Sequence, residues 1–306
     1  MKWIKKGLIY CANQTSEWAY SHAAVPTPYH FSDTVLRIFC AFRDRENISR
    51  IGYVDVEADN PKNIVNISVN PVLDIGMLGA FDDNGVLPAS IVKYEGKLYL
   101  YYGGFQLGVK IPYYIFCGLA ISTDNGNSFK RYQTVPITDR SNAESFFRVA
   151  NYVIKDHEQW KMWYIAGSSW INLHGKMLPE YSIKYLESPD GVTWGKEGKL
   201  CISPQNDEHG FGRPYIVKSE QGYKMYYSVR SLSKGYQLGY AESTDGIYWK
   251  RRDEEIGISV SPEGWDSLSQ CYCAFIKHKK KTYLFYSGNN YGETGFGYAE
   301  LDMESS

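Results

Sequence analysis

The chain has 306 residues, with 33 basic and 34 acidic side chains and a formal net charge of -1, which excludes a nucleic-acid binder built on a basic surface. Its hydrophobic content of 43% supports a sizeable core, yet no apolar run is long enough to cross a bilayer, so no membrane span is expected. Aromatic residues reach 16%, including 27 Tyr, a composition that suits β-strands and wet, amphipathic binding faces.

At the N-terminus, Lys2, Lys5 and Lys6 precede a short apolar run ending at Ala12, too short for an export signal, and a cytoplasmic location is expected. A strand is predicted around Leu8-Ile9-Tyr10. The six cysteines (Cys11, Cys40, Cys117, Cys201, Cys271 and Cys273) form no CxxC pair, and several lie in apolar strand patterns, as buried free thiols do.

Five segments then share one strand pattern: Leu36 to Arg43, Lys97 to Gly104, Trp160 to Gly167, Tyr223 to Arg230 and Thr282 to Asn289. With Cys40, Tyr101, Tyr164, Tyr227 and Tyr286 taken as equivalent, the spacings are 61, 63, 63 and 59 residues. In four copies an apolar run ending at a lysine (Lys93, Lys155, Lys218, Lys277) precedes the segment, and a third strand follows it. Three copies close on a tight turn leading into an aromatic: Ser122 to Phe129, Ser188 to Trp194 and Ser243 to Trp249. The pattern predicts an all-β, five-bladed β-propeller over residues 1–306, a single domain with about 60 residues and four antiparallel strands per blade. The N-terminal strand is expected to complete the last blade.

Eleven residues before each first-strand lysine, one slot holds Asp82, Glu144, Asp207 and Asp266, with Ser21 or His22 in blade one. The next position holds Asp83, Ser145, Glu208 and Ser267. Carboxylates converging on one concavity perturb each other's protonation and make acid/base pairs. The same residues serve equally as acceptors of backbone N–H groups at a turn. Arg43, Arg148, Arg213 and Arg230 recur near the blade entrances, either pairing with these acids or facing an anionic substrate. Trp18, Trp170, Trp265, Tyr29 and Tyr272 offer stacking faces. The histidines show no metal-ligand spacing, and neither a metal nor a cofactor is expected.

Phe81-Asp82-Asp83-Asn84-Gly85-Val86 before Gly96 to Tyr102, the Ser-x-Asp-Gly-x-x-Trp turns at Ser188 and Ser243, and Gly264-Trp265-Asp266-Ser267 resemble the clan of five-bladed propellers containing glycoside hydrolase families 32, 43, 62, 68 and 130. Within it, the chain is most similar to small glycosyl hydrolase-like proteins of bacterial polysaccharide loci. The resemblance implies a carbohydrate-active enzyme that cleaves or transfers a glycosidic bond in a central funnel. Glu144 would be its general acid, with Asp82 and Asp266 in support. His22, Arg43, Asp83, Arg148, Arg213, Arg230, Trp265 and Gln270 would contact the substrate, a small molecule or oligosaccharide that includes phosphorylated sugars. Blade one departs from the clan, because Ser21-His22-Ala23-Ala24-Val25-Pro26 has no carboxylate. The alternatives are a phosphorylase or glycosyltransferase-like enzyme using phosphate or a phosphorylated donor, and a non-catalytic glycan-binding propeller.

Overall fold

A computed structural model describes residues 1–14 and 16–302; Thr15 and residues 303–306, part of the span expected to form one domain, lie outside the described residues. After β1 (Trp3–Tyr10), the chain forms β2 (Ser21–His30), β3 (Val35–Arg43), β4 (Ser49–Glu57) and β5 (Ile64–Ile67). A second group is β6 (Val86–Tyr94), β7 (Lys97–Leu107), β8 (Tyr113–Ser122) and β9 (Lys130–Arg131). The third is β10 (Arg148–Asp156), β11 (Gln159–Leu173), β12 (Lys176–Ser188) and β13 (Lys199–Ile202). The fourth is β14 (Glu208–Ser219), β15 (Gly222–Ser231), β16 (Gly235–Ser243) and β17 (Lys250–Arg251). The chain ends with β18 (Cys271–His278), β19 (Lys281–Ser287), a short helical turn α1 (Asn289–Gly292), and β20 (Phe296–Leu301).

Within each group successive strands pair antiparallel, and β1 pairs with β20 as the outer strand of the last sheet. The second and third groups touch through one parallel bridge, Arg148 to Phe116. The inner strands β2, β6, β10, β14 and β18 each lie against the next, and β18 lies against β2.

Second-strand residues such as Cys40, Tyr102, Trp163, Tyr227 and Phe285 have no exposed surface, since both faces of each sheet are covered by its neighbours. Five apolar clusters occupy the five junctions. Phe39 and Leu100 share one, Tyr101 and Met162 the next, Ile183 and Met225 a third, Tyr226 and Phe275 a fourth, and Phe285 and Leu36 the last.

The turns that end the third strands reach back to the preceding sheet. In the third sheet, the Asp190 carboxylate accepts the Val192 and Thr193 N–H groups at 2.9 and 2.7 Å, and the Gly191 carbonyl accepts the Tyr101 hydroxyl at 2.9 Å. In the fourth, the Gly246 carbonyl accepts the Trp163 indole N–H at 2.7 Å. Between the last sheet and the first, Tyr283 donates to the Ala58 carbonyl at 3.0 Å.

This pattern corrects the repeat register by one residue. Tyr101 does the work of Trp163, so Tyr102 is the equivalent of Tyr164. In keeping with this, Tyr102, Tyr227 and Tyr286 lie opposite Gly118, Gly239 and Gly297, and Cys40 opposite Gly52.

Candidate ligand site in the central cavity

The inner strands surround a cavity of about 350 Å³. Each of them is bulged where it meets this space: the register slips between Ala24 and Thr27, Pro88 and Ser90, Val149 and Tyr152, Gly212 and Tyr215, and Cys271 and Ala274. A bulge adds one residue and re-aims the side chains beside it. Val25, Ala150 and Tyr272 take left-handed φ values of 55°, 56° and 55° there, and all three line the cavity. Such values are unusual for non-glycine residues, above all for a β-branched one.

Three of the expected contact residues meet on this lining: Arg43 from the end of β3, Arg213 from β14 and Arg230 from β15. Arg213 is 1% exposed and donates to the Thr27 hydroxyl at 2.7 Å and to the carbonyls of Pro26, Tyr272 and Cys273 at 2.9, 2.9 and 3.1 Å. Its Nε has no partner. Arg230 donates to the Tyr181 hydroxyl and stands 5.1 Å from the Tyr236 ring centre. Arg43 donates to the Asn47 side chain at 2.8 Å. Burial pulls the pKa of both Arg43 and Arg213 downward, the direction expected when a desolvated cation lacks a full counter-charge.

The rest of the lining is aromatic and apolar. Tyr113, Tyr181, Tyr236, Tyr272 and Tyr291 present rings to it, beside Leu87, Phe105, Ile115, Phe147, Val149 and Phe211. Of these tyrosines the sequence singled out Tyr272. Tyr113 and Tyr236 sit at the starts of β8 and β16, Tyr181 lies within β12, and Tyr291 is on α1.

The recurrent carboxylates are placed differently. None of Asp82, Glu144 and Asp266 is on the cavity lining, and the structure does not bring them into one pocket. Asp82, 1% exposed, accepts the Tyr102 hydroxyl at 2.9 Å and Arg131 Nε at 2.8 Å through one oxygen. Glu144, 2% exposed, accepts the Tyr164 hydroxyl, the Gly198 N–H at 3.0 Å and Lys184 at 3.0 Å, and it stands in an ion pair with Arg148 at 2.7 Å. Asp266, 2% exposed, accepts Lys5 at 2.7 Å, Gln270 at 2.9 Å and the Tyr286 hydroxyl at 3.0 Å.

Several expected substrate contacts therefore serve elsewhere. Arg148 and Gln270 are the partners of Glu144 and Asp266. Asp83 accepts the Gly79 N–H at 2.8 Å. Trp265 stacks on Tyr286 with ring centres 5.0 Å apart. His22, at φ 64°, has Nδ1 2.9 Å from the Ser21 hydroxyl, and burial followed by the charge of Arg43 lowers its pKa to about 4. Asp207 binds the hydroxyls of Ser231 and Ser233, and Glu208 pairs with Arg251.

Among the described residues no helix is long and apolar enough to cross a membrane. No protein-family model matches the chain. Solved structures with 18%, 16% and 16% identity align over 98%, 95% and 99% of this chain and 92%, 91% and 94% of theirs, with TM-scores of 0.73, 0.68 and 0.71. They are, in order, a glycoside hydrolase, a thermostable family-43 glycoside hydrolase, and a structure from the GH130 family of mannoside phosphorylases, which contains glycoside hydrolases that target beta-1,2 mannosidic linkages in Candida mannan. The likeness is one of fold, that of the propeller glycoside hydrolases. The uncharacterized protein Rv1502 of Mycobacterium tuberculosis is 34% identical over 305 residues, 99% of this chain and 100% of the relative, and the chain belongs to its family.

Proposed function

We propose that the five four-stranded sheets are the blades of a closed propeller and that its central cavity holds a saccharide. The observation that carries this reading is the lining itself, where five tyrosine rings and apolar side chains stand around three arginines. Sugar rings present C–H faces that pack on aromatic rings and hydroxyls that need polar partners, and tyrosine supplies both. A volume of about 350 Å³ lies at the lower end of ligand sites and suits a mono- or disaccharide. The experiment is calorimetric titration with a panel of glycosides. Saturable binding that Tyr236→Ala and Tyr272→Ala weaken supports the reading, and no binding by any saccharide removes it.

Cleavage or transfer of a glycosidic bond is a second reading, favoured by the glycoside hydrolases among the solved neighbours. With Glu144 as general acid and Asp82 and Asp266 in support, it requires these carboxylates to leave Arg148, Arg131 and Lys5 when substrate binds. Product formation followed by NMR, with and without phosphate, separates water from phosphate as acceptor. If Glu144→Gln keeps full turnover, Glu144 is not the acid.

A further inference from the structure

Charge pairing across the molecule sets the cavity apart. Six of the eleven arginines stand in ion pairs with aspartate or glutamate. Among the described residues the other five do not: Arg45 and Arg140 are exposed and lie over aromatic rings, whereas Arg43, Arg213 and Arg230 line the cavity. The lining contains no Asp, Glu or Lys. Arg213 is the extreme case: it is buried, solvated only by neutral oxygens, and its Nε lacks a partner. Burying a cation without a counter-charge is expensive, and a protein keeps such a group when something else supplies the charge.

We infer that the saccharide carries a fixed negative charge, a carboxylate or a phosphate, bound by the guanidinium groups of Arg43 and Arg230 above the buried cation of Arg213. This rests on the saccharide reading given above and names its ligand class. The planar fork of arginine matches both anions through paired N–H donors, which a lysine does not reproduce. The walls define the remainder of the ligand. Tyr236 stands 5.1 Å from the Arg230 guanidinium carbon and in ring contact with Tyr272 and Tyr291, on the same lining as Arg43. A ring stacked on Tyr236 therefore has the Arg230 cation beside it. A small free anion would leave these aromatic faces unused, so the charge belongs on a sugar.

The test is calorimetric titration of the intact protein with four probes at low and moderate ionic strength: methyl glucuronide, glucose 6-phosphate, methyl glucoside and inorganic phosphate. The expected result is that one of the two charged sugars binds at least about tenfold more tightly than methyl glucoside and than inorganic phosphate, with affinity falling as salt rises. Which of the two it is distinguishes a uronate from a sugar phosphate. Arg230→Gln and Arg43→Gln should each remove about tenfold of that preference, and Arg230→Lys should restore part of it. Equal binding of methyl glucoside and the charged sugars, or a preference unchanged in both glutamine variants, overturns the inference while leaving the saccharide reading intact. Binding of inorganic phosphate alone, as tight as that of any sugar, overturns the saccharide reading itself. No binding by any probe overturns both.

Discussion

Tyr164 donates its hydroxyl to both oxygens of Glu144, at 2.9 and 2.8 Å, across a sequence separation of 20 residues. The same separation of 20 joins Tyr102 to Asp82 and Tyr286 to Asp266. In the fourth sheet Tyr227 finds Asp253 instead, at 2.6 Å. The first sheet has Cys40 in the tyrosine position and no carboxylate in the slot expected of its entrance. Acid and tyrosine are thus missing together, which fits a carboxylate whose task is to receive a buried hydroxyl and anchor the entry loop to the middle of its own sheet.

Glu144→Ala should therefore destabilise the fold. It leaves Arg148, 3% exposed, with carbonyl partners but without its counter-charge, and breaking one side of a buried pair costs about 3–5 kcal/mol. Tyr164→Phe removes only the hydroxyl and should cost about 1.5–3 kcal/mol, the range for a hydrogen bond to a charged group. Urea unfolding checks both, and the affinity of Tyr164→Phe for a cavity ligand should stay within about twofold of wild type. A large loss of affinity in that variant with unchanged stability would give Glu144 a role at the ligand.

His22 predicts an acid-sensitive step distinct from that of the carboxylates. Its pKa falls from 6.5 to about 4 on folding, first through burial and then through Arg43. Between those values the unfolded chain binds a proton that the folded chain does not, so stability falls as pH drops through this window and levels off below it. With solvent screening at the partly buried ring taken into account, the full effect is on the order of 2 kcal/mol. Asp124 and Asp190, held near 2 rather than 3.8 by hydrogen bonds that outweigh their burial, contribute stability that is lost only at lower pH. His22→Gln should flatten the stability profile between pH 6.5 and 4 and leave the more acidic limb in place. A profile identical to wild type would show that another group titrates there.

The repeat was legible because strand geometry demands it: a sheet buried on both faces needs a fully apolar second strand, and five such strands at a steady spacing leave little choice of architecture. The recurrent acids were legible as a slot, but their orientation was not. Sequence spacing places Asp82, Glu144 and Asp266 at equivalent points without saying whether they face the axis or the tyrosine 20 residues on. The cavity lining depends on five bulges, and a bulge shifts which side chains point inward without leaving a pattern in one sequence. Tyr101 and Tyr102 show the limit in miniature: two adjacent tyrosines fit the repeat equally well, and the choice moves the register by one.

Two glycines separate backbone strain from packing. Gly235, at φ 67° at the start of β16, would place an added methyl in open space, so Gly235→Ala should cost about 1–2 kcal/mol for the left-handed backbone alone. Gly191, at φ 74°, would bring a Cβ within 2.7 Å of the Trp160 indole and 2.8 Å of the Tyr101 hydroxyl. Gly191→Ala should add about 1–3 kcal/mol of overpacking to the same backbone cost. Urea midpoints give the comparison, and equal losses in the two variants would show that the Tyr101–Gly191 contact yields without penalty.

Arg213 ties the inner strands together. From β14 its guanidinium reaches the Pro26 carbonyl and Thr27 hydroxyl of β2, the Ala89 carbonyl of β6, and the Tyr272 and Cys273 carbonyls of β18. Inner strands bulged at this level turn backbone oxygens away from their ladders, and a single planar cation serves four of them. Arg213→Met keeps much of the volume but removes every donor. Each carbonyl left dry costs about 1–3 kcal/mol, so the variant should lose at least about 3 kcal/mol even if water reaches some of them from the cavity. Arg213→Lys keeps the charge with three donors in place of five and should fall between the two. Because the strut joins sheets rather than strands of one sheet, its loss should also lower the urea m-value, as a less tightly closed native state exposes less new surface on unfolding. A methionine variant as stable as wild type, with m unchanged, would show that the cavity floor is held by the sheets alone.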